Sequence, residues 1–276
     1  MKTILVPTDF SAAATNAANY ATDMAIAIHA NLLLLHVYQP PVIYSEAHVA
    51  LNDAEFLSSS EKSIRQLKDA LNKKSGGTIK IETEIRTGIF FTELKSVCEY
   101  RKPYTVVMGS QGTSAVERIL FGSHTVHAMK NLMTPLITVP PGITFCSIKK
   151  IGLACDFEDV VDTTPIAEIR MLVNDFNAKL HLLNTGVTEV FDPGKVYEYG
   201  LVREMLEDLK PRFHYINHVN TDQGIIDFAE NNHIDLLVIL PKRHGFLDKL
   251  IRKSHTKQFV LHSHVPVMAL HQESRQ

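Results

Sequence analysis

The sequence has few cysteines, almost no net charge and no long apolar run, and each absence excludes a class of protein. Its three cysteines, Cys98, Cys146 and Cys155, are far apart and form no CxxC pair, so we expect reduced thiols. A net charge of −2 at pH 7 removes the simplest electrostatic basis for binding nucleic acid or an anionic membrane. No stretch approaches the roughly 20 apolar residues of a membrane-spanning helix. The first residues turn polar after a very short apolar run, so we expect no signal peptide and a cytoplasmic location.

Motifs that would support catalysis or metal binding are also absent. The sequence contains no GxxxxGK[ST], whose lysine and hydroxyl serve phosphates and Mg²⁺ in P-loop enzymes. It contains no Gly-x-Ser-x-Gly for an acyl-transfer nucleophile. Among the 14 histidines, the tightest pair, His262 and His264, has no further ligand at a suitable spacing. We therefore predict neither a metal site nor a catalytic residue.

What the chain does have is an internal repeat. Its 276 residues, 45% apolar and 21% charged, fit two globular domains. The recurring segments are 2–10 with 149–157, 32–37 with 179–184, 105–109 with 237–241, 117–120 with 248–251, and 135–139 with 266–270. The first two pairs are 147 residues apart and the later pairs about 132, so the second copy is shorter in its middle. Repetition at this length indicates two duplicated domains, which we place at 1–143 and 144–276, rather than a solenoid with repeats of about 20–50 residues.

Each copy alternates short apolar runs with helical patterns, which is typical of an α/β fold. In the first copy we predict strands at 3–8, 32–38, 79–86, 104–109 and 136–139. We predict a first helix from an N-cap at Ser11 to about Ala30, with Tyr20, Met24 and Ile28 on one stripe. A second helix is predicted from the spacing of Leu57, Ile64, Leu67 and Leu71. Two more are predicted at about 90–101 and about 123–133. Strands that are apolar along their whole length are covered on both faces, as in a parallel sheet.

Two loops of the first copy follow strands at the edge of the sheet where ligands of such folds bind. One is 7–11, after the first strand, and the other is 109–112, after the fourth strand, which leads to 122–125 at the start of a helix. Asp9 in the first loop is an acceptor when ionised and suits a ribose hydroxyl. The sequence therefore predicts a ligand site formed by these loops.

The second loop has the spacing G-x2-G-x9-G-S. Gly109 and Gly112 let the main chain approach a bulky anion and adopt positive φ where required. Gly122 and Ser123 begin a helix, whose unpaired N–H groups favour phosphate, and Ser123 and Thr125 add hydroxyl donors. The same glycines also fit plain turns and a helix cap without any ligand, because glycine is the usual turn residue.

This spacing, together with the N-terminal Ile-Leu-Val-Pro-Thr-Asp-Phe-Ser and the His-Val of the second strand, resembles the universal stress protein family. The resemblance covers nearly the whole chain as a tandem pair. It implies two Rossmann-like, adenine nucleotide alpha hydrolase-like domains, each a five-stranded parallel sheet flanked by helices. It also implies that ATP binds at these loops, with Mg²⁺ or without it, AMP and ADP being the alternatives. The residues implied in binding are Pro7, Thr8, Asp9, Val37, Met108, Gly109, Gln111, Gly112, Gly122, Ser123, His124 and Thr125.

The second copy departs from the motif. Pro241 stands where the first glycine is expected, and Lys253 aligns with Gly122. Proline lacks an N–H donor, and the lysine side chain would enter the space of the phosphates. Asp156 is retained, but we predict that this half does not hold ATP in the family's manner.

The resemblance implies a nucleotide-responsive regulatory module in which the two halves pair as a pseudo-dimer, and a homodimer is left open. We expect no nucleic acid or membrane partner. One alternative is a slow ATP hydrolase or a protein that phosphorylates itself on Ser123 or Thr125. Another is a scaffold without a ligand.

Overall fold

The computed structural model of the chain describes residues 1–39, 53–110, 124–184, 193–241 and 255–272. The elements of the first half are β1 (Thr3–Pro7), α1 (Ala12–Ala27), β2 (Asn31–Tyr38), α2 (Asp53–Ser75), β3 (Ile81–Thr87), α3 (Phe90–Arg101), β4 (Thr105–Gly109), α4 (124–131) and β5 (Leu136–Val139). Those of the second half are β6 (Lys150–Ala154), α5 (Val160–Thr163), α6 (Ile166–Phe176), β7 (Lys179–Asn184), α7 (Pro193–Met205), a 3₁₀ turn (Glu207–Leu209), β8 (Arg212–Tyr215), α8 (Thr221–Asn231), β9 (Leu236–Ile239), α9 (His255–His262) and β10 (Val267–Ala269).

The described strands form one sheet in the order β3-β2-β1-β4-β5-β10-β9-β6-β7-β8. All neighbouring strands within each half are parallel, and the two halves meet through the antiparallel pair β5–β10. The predicted α/β fold, with two five-stranded parallel sheets, is therefore confirmed. The halves pair within the chain by sharing a sheet.

The first strand and helix follow from their local sequence. Ile4, Leu5 and Val6 are fully buried, as expected of a strand that is covered on both faces. The Ser11 side chain accepts a hydrogen bond from the N–H of Ala14 at 3.1 Å and so caps α1, as predicted. Among the helices of the described residues, none is long and apolar enough to cross a membrane.

The helical stripe of α2 is only partly as predicted. Ile64 and Leu71 are buried, whereas Leu57 is 43% exposed. A helix of 23 residues is about 34 Å long, and the neighbouring strand β2 of 8 residues spans about 26 Å. The helix is therefore longer than this strand, and the exposed Leu57 lies in its first turns.

The segment that connects the halves packs against both of them. The Asn16 side-chain amide donates to two main-chain carbonyls of the connection 140–149, at 3.2 and 3.3 Å. The Phe145 ring lies edge-on to Tyr20 of α1, with centroids 5.3 Å apart, and 6.3 Å from Phe176 of α6. This part of the chain is consequently a packed bridge between α1 and the second half.

The strand register corrects one predicted alignment of the repeat. Asn31 lies opposite Thr3 in the first half, and Lys179 lies opposite Lys150 in the second. Since Thr3 and Lys150 correspond at an offset of 147, Asn31 and Lys179 correspond at 148, and the predicted offset of 147 for this strand was wrong by one residue. A one-residue shift moves every side chain to the other face of the sheet, so the counterpart of His36, rather than that of Val37, is Asn184.

Candidate functional site

The predicted site lies where the chain connections leave the first sheet to opposite sides. After β1 the chain adds β2 and β3 on one side, and β4 then joins β1 on its other side. The carboxyl ends of β1 and β4 are thus adjacent at one edge of the sheet. In open parallel sheets this is the usual place for a ligand.

The loop after β1 is fixed by short hydrogen bonds that leave Asp9 exposed. The Thr8 N–H donates to the carbonyl of Leu35 at 2.8 Å, and the Thr8 hydroxyl accepts from the N–H of Phe10 at 3.0 Å. Phe10 has φ 66°, a left-handed conformation that is uncommon for a residue with a side chain. One Asp9 carboxylate oxygen accepts from the N–H of Ser11 at 2.9 Å. A carboxylate has about four acceptor positions, so this one retains capacity for a hydroxyl of a ligand.

Gly109 at the end of β4 is needed for packing. A Cβ atom built on it would lie 2.8 Å from the carbonyl oxygen of Ala13, so the first turn of α1 crosses this position in direct contact. Its φ lies outside the left-handed range. The sequence predicted a glycine for close approach of the main chain, and in the structure the approaching group is the protein's own helix.

Thr125 links the start of α4 to the end of β4. Its side chain is buried, and its hydroxyl donates to the carbonyl of Gly109 at 3.0 Å. The hydroxyl that the sequence predicted as a donor to phosphate therefore donates within the protein. The neighbouring His124 is exposed, and its ring meets that of Phe90 edge-on at 5.4 Å.

The other predicted residues are either at least partly buried in the protein or lie outside the described part of the chain. Pro7 and Met108 are buried at the ends of β1 and β4, and Val37 is partly buried at the end of β2. The side chains of Met108 and Val37 pack in the core, which leaves main-chain groups for a ligand. The predicted residues that lie outside the described part of the chain are Gln111, Gly112, Gly122 and Ser123.

Two neighbours of the predicted residues were missed. The His36 ring lies 2.8 Å from the Thr8 carbonyl oxygen through Nδ1. The Ser110 hydroxyl is buried, and the structure shows no hydrogen-bond partner for it in the described residues. The His-Val pair of the second strand was the only sequence signal for His36, since its contact with Thr8 depends on the register of β1 and β2.

The second half repeats the loop after its first strand. The Cys155 N–H donates to the carbonyl of Leu183 at 3.0 Å, Phe157 has φ 53°, and Asp156 accepts from the N–H of Glu158 at 3.3 Å. Asp156 is exposed, as Asp9 is. The adenosine side of the predicted site therefore has a structural counterpart.

The loop after the fourth strand of the second half is different. Ile4 pairs with Thr105, and Ile151 pairs with Leu236, so the offset here is 131 and Pro241 corresponds to Ser110 rather than to Gly109. The Ser110 N–H donates to the next strand at 3.0 Å, a bond that proline cannot make.

A carboxylate at the start of α8 lies beside the first described residue of α9. The Asp222 carboxylate is 2.6 Å from Nδ1 of His255, the first described residue of α9. His255 corresponds to His124, which follows the predicted phosphate loop of the first half. An acidic side chain here disfavours a second anion through like-charge repulsion.

Two of the three cysteines are buried, whereas Cys146 is exposed. Burial raises the pKa of the Cys98 thiol to about 11, and Cys155 is buried as well. A thiol is reactive as its thiolate, which burial disfavours. In the described ranges no group of three or more His, Cys, Asp or Glu side chains is arranged to hold a metal ion.

Comparison with known proteins assigns both halves of the chain to one family. The model of the universal stress protein family matches residues 1–140 and again residues 148–271. A universal stress protein of Methanocaldococcus jannaschii is 29% identical over 141 residues, which are 50% of this chain and 81% of that protein.

Two solved structures share the fold over nearly the whole chain, and a third aligns with half of it. A universal stress protein from Archaeoglobus fulgidus has a TM-score of 0.71 at 17% identity and covers 98% of this chain and 96% of its own. A protein of unknown function from Pseudomonas aeruginosa has a TM-score of 0.57 at 12% identity, and the match covers 99% of this chain and 93% of that protein. A universal stress protein in complex with cAMP matches 51% of this chain and 98% of its own at 23% identity and a TM-score of 0.39. Since the family model covers both halves, the chain belongs to the universal stress protein family and is a tandem of two of its domains.

Proposed function

We propose that the first half binds ATP between the carboxyl ends of β1 and β4, and that the protein acts as a nucleotide-responsive stress module. The observation that carries this proposal is the arrangement of Asp9. It is exposed at the switch point of the sheet, while Thr8 and Phe10 on either side of it are fixed. A rigidly held carboxylate with free acceptor positions is suited to the two hydroxyls of a ribose.

The phosphate side of the proposal combines the sequence motif with the position of α4. Thr125 ties the start of this helix to the end of β4 beside Asp9's loop. The N-terminus of a helix attracts anions through its unpaired N–H groups and its dipole. Gly112, Gly122 and Ser123 belong to this side by sequence, and we propose that their main-chain groups surround the triphosphate.

We further propose that the second half holds no triphosphate. Pro241 cannot make the strand hydrogen bond of its counterpart Ser110, so the loop after β9 begins differently, and the Asp222 carboxylate lies beside the first described residue of α9. Lys253 replaces Gly122 in the sequence. This half would then serve as the structural or regulatory partner of the first.

Calorimetric titration with ATP tests the proposal. We expect one site per chain, and binding to the folded state raises stability by about 2.7 kcal/mol at a hundredfold excess over Kd. Asp9→Asn should weaken binding by about ten- to a hundredfold, the range for hydrogen bonds to a charged group. The matched control is Asp156→Asn, which makes the same change in the second half and should leave Kd unaltered. Two equivalent sites, or an Asp9→Asn protein that binds as the parent does, would contradict the proposal.

Two further measurements separate the alternatives. Steady-state phosphate release at the level of buffer, with and without Asp9→Asn, supports binding without hydrolysis. Titrations with ADP and AMP establish which adenylate is preferred, and mass spectrometry of small molecules released on denaturation identifies the ligand carried by the purified protein. We also place the protein in the cytoplasm, because its three cysteines form no disulfide, as expected in a reducing compartment.

A further inference from the structure

The His36 side chain holds the end of β1 from the neighbouring strand. Its Nδ1 lies 2.8 Å from the Thr8 carbonyl oxygen. Since a carbonyl oxygen only accepts, Nδ1 carries a proton and donates it. The Thr8 N–H also donates to β2, to the carbonyl of Leu35 at 2.8 Å. Both main-chain groups of Thr8 are thereby bound to two consecutive residues of β2.

The same ring also contacts the residue on the far side of Asp9. The Phe10 and His36 ring centroids are 4.6 Å apart, with the planes tilted by 37°. Phe10 has φ 66°, and a non-glycine residue keeps this conformation only where its surroundings fix it. Asp9 is therefore flanked by two residues that His36 contacts, one through a hydrogen bond and one through ring packing.

The second half makes the equivalent bond with a different side chain. The Asn184 amide donates to the carbonyl of Cys155 at 2.8 Å, and Phe157 follows Asp156 with φ 53°. An imidazole and a carboxamide share one property at this position, a donor directed at the carbonyl of the residue that follows the first strand. The recurrence indicates that the hydrogen bond is what the loop requires, and that the imidazole ring as such is not.

We infer that His36 is a positioning residue for the nucleotide site, where it holds Asp9 in the geometry that receives the ribose. The effect of His36 on binding rests on the proposed function, because it requires that the first half binds ATP. The hydrogen bond and ring contact themselves exist without any ligand, so their effect on the loop is measurable in the free protein.

The first arm of the test is hydrogen exchange of the loop amides of Phe10 and Ser11 in nucleotide-free protein. In His36→Leu, which keeps bulk and removes the donor, we expect these amides to exchange about five- to tenfold faster, the factor for loss of one net hydrogen bond. His36→Asn, which copies Asn184, should restore exchange to within about threefold of the parent. Unchanged exchange in His36→Leu overturns the inference, whether or not ATP binds.

The second arm is ATP titration of the same proteins well below their melting temperatures. We expect Kd to rise about tenfold in His36→Leu and to be recovered in His36→Asn. Asn184→Leu, the matched loss in the second half, should leave Kd unchanged, which separates positioning from a general loss of stability. If His36→Asn is as weak as His36→Leu, the positioning role is wrong. If the parent protein shows no affinity for ATP, the proposed function fails, and the exchange data still decide whether His36 holds the loop.

Discussion

Gly109→Ala tests whether the glycine at the end of β4 serves the fold before it serves a ligand. The added Cβ would lie 2.8 Å from the carbonyl oxygen of Ala13 and 3.0 Å from both its carbonyl carbon and its Cβ. Two of these three atoms are main chain, so no rotation of a side chain relieves the contact and the first turn of α1 must shift. Overpacking of this kind costs about 1–3 kcal/mol. For a chain of this size it corresponds to a fall in Tm of about 2–12 °C.

The measurement is thermal unfolding of nucleotide-free protein, followed by circular dichroism or calorimetry. The matched control is Gly200→Ala in α7, where an added Cβ meets nothing within 4 Å. Alanine is favoured over glycine in a helix by up to about 1 kcal/mol, so Tm should rise there by a few degrees. A Gly109→Ala protein with the Tm of the parent would refute the packing argument and leave approach to a ligand as the reason for this glycine.

Two other predictions concern the phosphate loop and the second half. Gly122→Lys copies Lys253 into the first half, and we expect ATP affinity to be lost in calorimetry with the far-UV spectrum unchanged; retained affinity would mean that this helix start is not the phosphate site. His181 is buried against His214, with Nδ1 and Nε2 3.0 Å apart, and burial lowers the pKa of His181 from 6.5 to about 4. The unfolded chain therefore binds more protons between those values, and stability should fall by about 1–3 kcal/mol as pH drops from 6.5 to 4. Urea unfolding at several pH values checks this, and a slope that is equally steep in His181→Phe would contradict it.

The features that depend on short stretches of sequence were predictable. The run Ile4 to Val6 is apolar at every position because helices cover both faces of the sheet. Ser11 was identifiable as an N-cap because its oxygen needs only the N–H of Ala14, three residues away. Strands that are apolar along their whole length indicated a parallel sheet, and the internal repeat predicted the same fold for the second half.

The features that depend on contacts between distant elements were not predictable. Because β2 and β7 are both rich in leucine, their sequences can be aligned in two registers that differ by one residue. Only the pairing of β7 with β6 in the structure shows that Asn184 lies at the end of β6. Gly109 was expected where the main chain approaches an anion, and its contact with Ala13 could not be foreseen because it depends on how α1 lies across β4. The Thr125 hydroxyl was available in the sequence for a phosphate, and the fold directs it to a carbonyl instead.

The pairing of β5 with β10 bears on why the chain exists as a duplication. Thr138 and Val267 face each other at this seam, and either half alone would leave the amides and carbonyls of this short strand edge unpaired, where other strands could associate with it. Joining the two copies in one polypeptide makes this strand pairing intramolecular and so raises its effective concentration. The second copy thereby covers a strand edge that the first copy alone would expose.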